Sequence, residues 1–242
     1  MSDYTNRDVI EAWSSAWSEP GRADAFGDEG DFGRRHLLNP TLFAMLGDVR
    51  GKRVLDAGCG QGYLCRLLAR RGAIVTGIEP ADGLYSYALR REASDRLGIA
   101  YMQADLSAFT EHRMRFDAVL ANMVFMDIPD YEAAMANCVA ALRPGGRFVF
   151  SLLHPCFEEP AAAWTKGYVE VREYLSDYAV SGGDAPNFHR PLSRYINLLI
   201  RLGCVIRELV EPQLPAELAT GDPAHERNVH VPSFLVILAT KA

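Results

Sequence analysis

Asp56, Gly58, Gly60 and Gly62 stand at alternate positions and make the most specific chemical arrangement in the chain. They belong to Val54–Leu64 (Val-Leu-Asp-Ala-Gly-Cys-Gly-Gln-Gly-Tyr-Leu), where an acid ends an apolar run and a helix-like segment, Tyr63–Arg71, follows. Glycines lack a Cβ, so the backbone can turn sharply there and approach a ligand closely. The start of the helix then offers unpaired N–H groups. A strand, a glycine turn and a helix in this order form a nucleotide-type site at the carboxyl edge of a parallel sheet. A dinucleotide site needs a further small residue three positions after the second glycine, and that position is Tyr63. The Asp56 carboxylate suits instead a cofactor with an ammonium group and no pyrophosphate.

Val54–Leu64 resembles motif I of the class I S-adenosylmethionine (SAM)-dependent methyltransferases, and further segments match that family in order. Ala73–Glu79 is a β-branched run closing on an acid nineteen residues after Gly60. A carboxylate there can accept both hydroxyls of a ribose. Ile99–Asp105 is strand-like and ends on Asp105. The resemblance puts an acid at this point against the adenine amine, and capping of the following segment is its other reading. Phe116–Asn122 resembles the fourth strand, whose end lies beneath the transferable methyl in the family. Leu142–Gly146 resembles the turn before a fifth strand, Arg147–Leu153. The resemblance implies SAM as cofactor and S-adenosylhomocysteine as product. It implies Asp56, Ala57, Gly58, Gly60, Gly62, Glu79, Pro80, Asp105, Leu106 and Asn122 as the residues that bind them.

These residues must be positioned by alternating strands and helices, which run from about residue 52 to 153 and imply a parallel sheet with right-handed crossovers. An amphipathic stretch, Pro191–Leu202, and two strand-like runs, Gly203–Val210 and Phe234–Thr240, follow. The resemblance implies an α/β, Rossmann-like sheet of seven strands, mostly parallel, its last strand antiparallel and helices on both faces. The methyltransferase domain is then residues 51–242, with a helical N-terminal cap over 1–50 and a lid insertion at about 154–190. Long excursions of this kind are commonly functional. They hold Trp13, Trp17, Trp164, Tyr168 and Tyr178, which are expected to wall a planar, apolar acceptor. Packing of the lids onto the core is the other reading of the same rings.

Methyl transfer from a sulfonium is an in-line displacement. The protein must hold the nucleophile about 3 Å from the methyl, exclude water, and supply a base where the nucleophile carries a proton. His154, directly after the fifth strand in Ser-Leu-Leu-His-Pro-Cys-Phe, is the first candidate base; Pro155 holds the chain extended there. His36, in Arg-Arg-His-Leu-Leu-Asn-Pro, is the second. A structural histidine bonded to backbone is the competing reading for both. His112, His189, His225 and His230 stand in polar, loop-like contexts. Enzymes of this fold that methylate nucleic-acid bases carry two prolines after strand four, where this chain has Asn122-Met123-Val124-Phe125. Asp127 and Asp130 lie nearby, but Asp130 reads as a helix cap, and no metal is expected.

At 242 residues the chain fits one elaborated α/β domain. A net charge of −6 with only short basic runs argues against nucleic acid as a partner. No run approaches the ~20 apolar residues of a membrane helix, and the first residues lack an apolar signal core. The five cysteines form no Cys-x-x-Cys pair and read as reduced thiols of a cytoplasmic protein. The expected partner is a small-molecule acceptor, with no membrane, and a homodimer is one assembly open to the chain. The leading expectation is methyl transfer to a small aromatic natural product, with an indole carbon as the narrower reading. The alternatives are O- or N-methylation of another small metabolite, or a SAM-binding regulatory protein without transfer activity.

Overall fold

The computed structural model describes residues 4–18, 21–22, 26–110, 113–157, 167–171, 173–180, 183–219 and 221–242. Its centre is a seven-stranded sheet made of β1 (Arg53–Ala57), β2 (Ile74–Ile78), β3 (Ala100–Met102), β4 (Phe116–Asn122), β5 (Leu142–Leu153), β8 (Cys204–Val210) and β9 (Phe234–Lys241). The order is β3-β2-β1-β4-β5-β9-β8. The first five strands pair in parallel, and β9 runs antiparallel to both β5 and β8. The chain order reverses between β1 and β4, and a ligand crevice opens at the carboxyl ends of the strands on such a switch point.

The strands are apolar at successive positions because both faces of the sheet are covered. Leu55, Val119, Phe148, Phe150 and Ile237 point to one face, packing with Met135 and Cys138 of one helix (Tyr131–Ala141) and Leu198 and Leu199 of another (Leu192–Arg201). Val54, Leu120, Val149 and Val236, the alternate residues, point to the other. They pack with Leu42, Met45 and Leu46 of α2 (Asn39–Leu46) and Leu64, Cys65 and Leu68 of α3 (Tyr63–Arg70). Full burial of each such side chain is worth about 1.5–3 kcal/mol relative to exposure, so the two faces together fix the strand register.

The turn expected at Leu142–Gly146 is absorbed into β5. Leu142 pairs with Phe116 and Arg147 with Ala118, so one residue of β4 faces four of β5 in a bulge. Asp130 caps the Tyr131–Ala141 helix, accepting from the Ala133 N–H at 3.4 Å.

Outside the sheet, α1 (Asn6–Ala16) begins with a reciprocal cap between Thr5 and Asp8. It lies against α4 (Asp82–Asp95) so closely that a Cβ on Gly83 would stand 2.8 Å from the Trp17 carbonyl. A separate antiparallel pair, β6 (Tyr178–Val180) and β7 (Asn187–His189), carries His189, which is buried and bonded to the Tyr174 carbonyl at 2.9 Å rather than placed in a polar loop. Among the described residues no helix is long and apolar enough to cross a membrane.

Arg190 ties this pair to the sheet. It is buried and donates to the carbonyls of Phe125 at 3.0 Å, Ile128 at 2.8 Å and Pro129 at 3.3 Å, under the ring of Tyr131. Three carbonyls would lose their donor in Arg190→Ala. Since each buried unsatisfied group costs about 1–3 kcal/mol, urea unfolding of Arg190→Ala should show a loss of at least about 3 kcal/mol; a loss under 1 kcal/mol would mean that the pair is not anchored here.

Candidate functional site

At the switch point lies a cavity of about 330 Å³, within the range of small-molecule sites. The connection from β1 to α3 forms its floor. Gly58, Gly60 and Gly62 all have left-handed backbone, with φ of +71°, +56° and +82°. A Cβ on Gly58 would stand 2.8 Å from both methyl carbons of Val124, and one on Gly62 would strike the Tyr101 hydroxyl. At Gly60 a Cβ would meet nothing within 4 Å, so this bare stretch of backbone faces open space.

One residue past β2, the Glu79 carboxylate reaches across to this loop. Its Oε2 accepts from the Gly60 N–H and its Oε1 from the Ala81 N–H, both at 2.9 Å. Burial pushes its pKa up to about 7, against the lowering effect of the two N–H donors. A carboxylate offers about four lone-pair sites, so two remain for a ligand. Asp56, at the end of β1, is likewise raised to about 6 by burial, offset by the Cys65 thiol that donates to it at 3.1 Å. Asp105 receives the Asn6 amide at 3.1 Å and the Ser107 N–H at 2.9 Å, so it faces the cavity and caps the following turn as well.

A hydrogen-bonded chain crosses beneath the site. The Tyr63 hydroxyl donates to Asn39 at 3.2 Å and accepts from the Asn122 amide at 2.9 Å, and Asn122 in turn accepts from Ser151 at 2.7 Å. Beside it, Met123 is held at φ +60°, an uncommon conformation for a residue with a side chain and one that gathers at functional sites.

Asp56, Gly58, Gly60, Glu79, Pro80, Asp105, Leu106 and Asn122 line the cavity, and so do Trp13 and Trp17. Ala57 is buried within β1, and Gly62 holds the left-handed start of α3; neither forms the wall. Tyr178 lies instead over an adjoining hollow, its ring stacked on His189 with centroids 4.6 Å apart. Tyr168 is 54% exposed and away from the wall, and Trp164 lies outside the described residues.

The structure brings neither candidate histidine to the cavity. His154 is on the β8–β9 side of the sheet, two strands away from β1, where its backbone N–H bonds to Ser233. Its Nδ1 accepts from the Cys156 N–H at 3.2 Å, so Nε2 carries the proton and donates to Glu211 at 2.8 Å. His36 packs on Phe32, with ring centroids 4.5 Å apart. Sequence reasoning in turn passed over Asn6, Arg34 and Asp127 as wall residues. Asp127 had a signal, an acid shortly after strand four, but was weighed only as a metal ligand. Among the described residues no group of three or more His, Cys, Asp or Glu is placed to hold a metal ion.

Residues 55–150 match the family described as "Methyltransferase domain". A ubiquinone biosynthesis O-methyltransferase of Coxiella burnetii is 34% identical over 126 residues, 51% of this chain and 54% of that protein. One of the same name from Actinobacillus pleuropneumoniae is 30% identical over 161 residues, 63% of this chain and 65% of that protein. The chain spans about half the length of the first of these curated relatives. Among solved structures, an S-adenosylmethionine dependent methyltransferase from Mesorhizobium loti is similar at a TM-score of 0.76 and 29% identity, over 89% of this chain and all of that one.

The raised pKa of Glu79 gives a signed prediction. Between the ordinary value of 4.5 and the folded value of about 7 the unfolded chain has released a proton that the folded chain retains, so stability falls as pH rises through that window. The stability of wild type relative to Glu79→Gln, from urea unfolding without added ligand, should therefore decline from pH 4.5 to pH 7 and level off above. A difference that grew over this range would mean that Glu79 is ionised in the folded protein throughout.

Proposed function

Because the chain belongs to the class I SAM-dependent methyltransferases, we propose that it binds SAM in this cavity and transfers the methyl group to a small-molecule acceptor. One observation carries the reading. The buried Glu79 carboxylate is fixed by the Gly60 N–H at the β1/β4 switch point, with two lone-pair sites left to accept hydroxyls.

The residues present fit that cofactor. Glu79 would accept the ribose hydroxyls, Asp105 would face the adenine amine, and the open backbone at Gly60 together with Asp56 would take the amino-acid end. When bound, SAM supplies an electrophilic methyl on a sulfonium. The protein orients the acceptor, and Trp13 and Trp17 exclude water.

The N-terminal residues 1–50 and the excursion at 154–190 we read as the covers of the site. Asn6, Val9 and Trp13 of α1, and Gly183, Ala185 and Asn187 around β7, line the wall opposite the strand ends. Their apolar and aromatic share favours a planar acceptor. Curated relatives are named as O-methyltransferases of ubiquinone biosynthesis, so we favour a hydroxyl oxygen on an aromatic ring as the methylated atom.

Calorimetric titration should show SAM and S-adenosylhomocysteine binding. Glu79→Ala should weaken it by about 1.5–3 kcal/mol, as expected for hydrogen bonds to a charged acceptor, and Gly60→Val should abolish it by filling the space over the loop. Unchanged affinity in Glu79→Ala would take Glu79 out of the site. With labelled SAM and a panel of hydroxylated aromatic compounds, Trp13→Ala should reduce methylation while leaving SAM affinity within about twofold. SAM binding without transfer to any compound of the panel would favour the regulatory alternative.

A further inference from the structure

Five carboxylates line the cavity, and four of them have a partner. Asp56 takes the Cys65 thiol, Glu79 the Gly60 and Ala81 N–H groups, Asp105 the Asn6 amide, and Asp184 pairs with Arg22. The fifth, Asp127, ends a short 3-10 turn (Phe125–Asp127) just past β4 and has no hydrogen-bond partner among the described residues. It stands beside Met126, Ile128 and Pro129 on the wall. No histidine of the described residues lines the cavity.

We propose that Asp127 is the general base, its carboxylate accepting the proton of a hydroxyl acceptor as the methyl is transferred. This rests on the reading of the cavity as a SAM site. The acceptor oxygen forms its new bond to the methyl carbon, its O–H bond breaks with the proton passing to a carboxylate oxygen of Asp127, and the carbon–sulfur electron pair stays on sulfur. Atoms and charge then balance: the positive charge of the sulfonium is lost, and the carboxylate becomes a neutral acid.

The surroundings suit a base that works near neutral pH. Burial raises the Asp127 carboxyl to about 8; the charges of Arg34 and Arg190 oppose this, and that of Glu79 adds to it. Arg34 comes from the N-terminal segment, where it also pairs with Asp31 and lies over the ring of Phe26. Arg190 comes from the end of β7, and Glu79 from the end of β2. A general base is most effective when its pKa lies close to the operating pH, and an unpartnered carboxylate has its lone pairs free for an acceptor.

Two measurements test the proposal. In protein labelled with ¹³Cγ-aspartate and saturated with S-adenosylhomocysteine, the signal missing from Asp127→Asn identifies the Asp127 carboxyl. It should titrate well above the ordinary carboxylate range, and titration near pH 4 would overturn the proposal. With labelled SAM and catechol as the probe, Asp127→Asn should turn over at least about 100-fold more slowly and lose the acid limb of the pH profile, which Asp127→Glu should partly restore. SAM affinity should stay within about twofold in both variants, which shows that they are folded. A rate within about threefold of wild type in Asp127→Asn, with the acid limb kept, would overturn the proposal. If wild type does not methylate catechol, the carboxyl titration alone decides. Failure of wild type to bind SAM would overturn the cavity reading itself, a result distinct from either failure at Asp127.

Discussion

The contact from the Glu79 carboxylate to the Gly60 N–H is the constraint on which the site is built. The glycine loop has three left-handed residues, and such backbone gains little from local structure. Glu79 holds it from the neighbouring strand at 2.9 Å, and the parallel pairing of β1 with β2 sets where that carboxylate can reach. Burial opposes the charge that makes the contact strong, so the carboxylate sits close to its point of protonation. A site that depends on buried carboxylates is thus held under electrostatic tension, and a ligand that brings hydroxyl donors or positive charge relieves it.

The rest of the molecule serves to make that geometry stiff. The sheet is buried on both faces, and each face has its own apolar cluster. The chain of bonds from Asn39 through Tyr63 and Asn122 to Ser151 runs from α2 across α3 to the ends of β4 and β5. A side chain in such a network cannot shift alone, because any displacement leaves a buried polar group without its partner.

The fold was legible because its signals are local and repeated. β-branched runs ending in acids at Glu79 and Asp105, glycines at alternate positions, and an apolar terminal run at Phe234 each mark one strand end or one turn. The wall at the glycine loop, with Asp56, Glu79 and Asp105, was legible for the same reason. The rest of the wall was not. His154 looked well placed because it follows β5, yet nothing in the sequence says to which side a strand end leans, and here it leans toward Glu211. The wall position of Arg34 depends on the path of the N-terminal segment over the sheet, a long-range arrangement with no periodicity to read. Tyr178 was expected to wall the cavity, but its ring stacks on His189 in the adjoining hollow.

Val9 of α1 packs with Ala185 and Phe188 near β7 in an apolar cluster of their own, separate from the two clusters on the sheet. The two segments that complete the cavity wall therefore touch each other as well as the fold beneath them. Substitutions there can reshape what the cavity admits while the register of the sheet and the glycine loop stay unchanged. For a lineage under selection, what the cavity admits can then change while the sheet beneath it stays fixed. The same partition makes this pair of segments the natural unit to exchange between relatives, and both halves must travel together, since either one alone would meet a partner shaped for another.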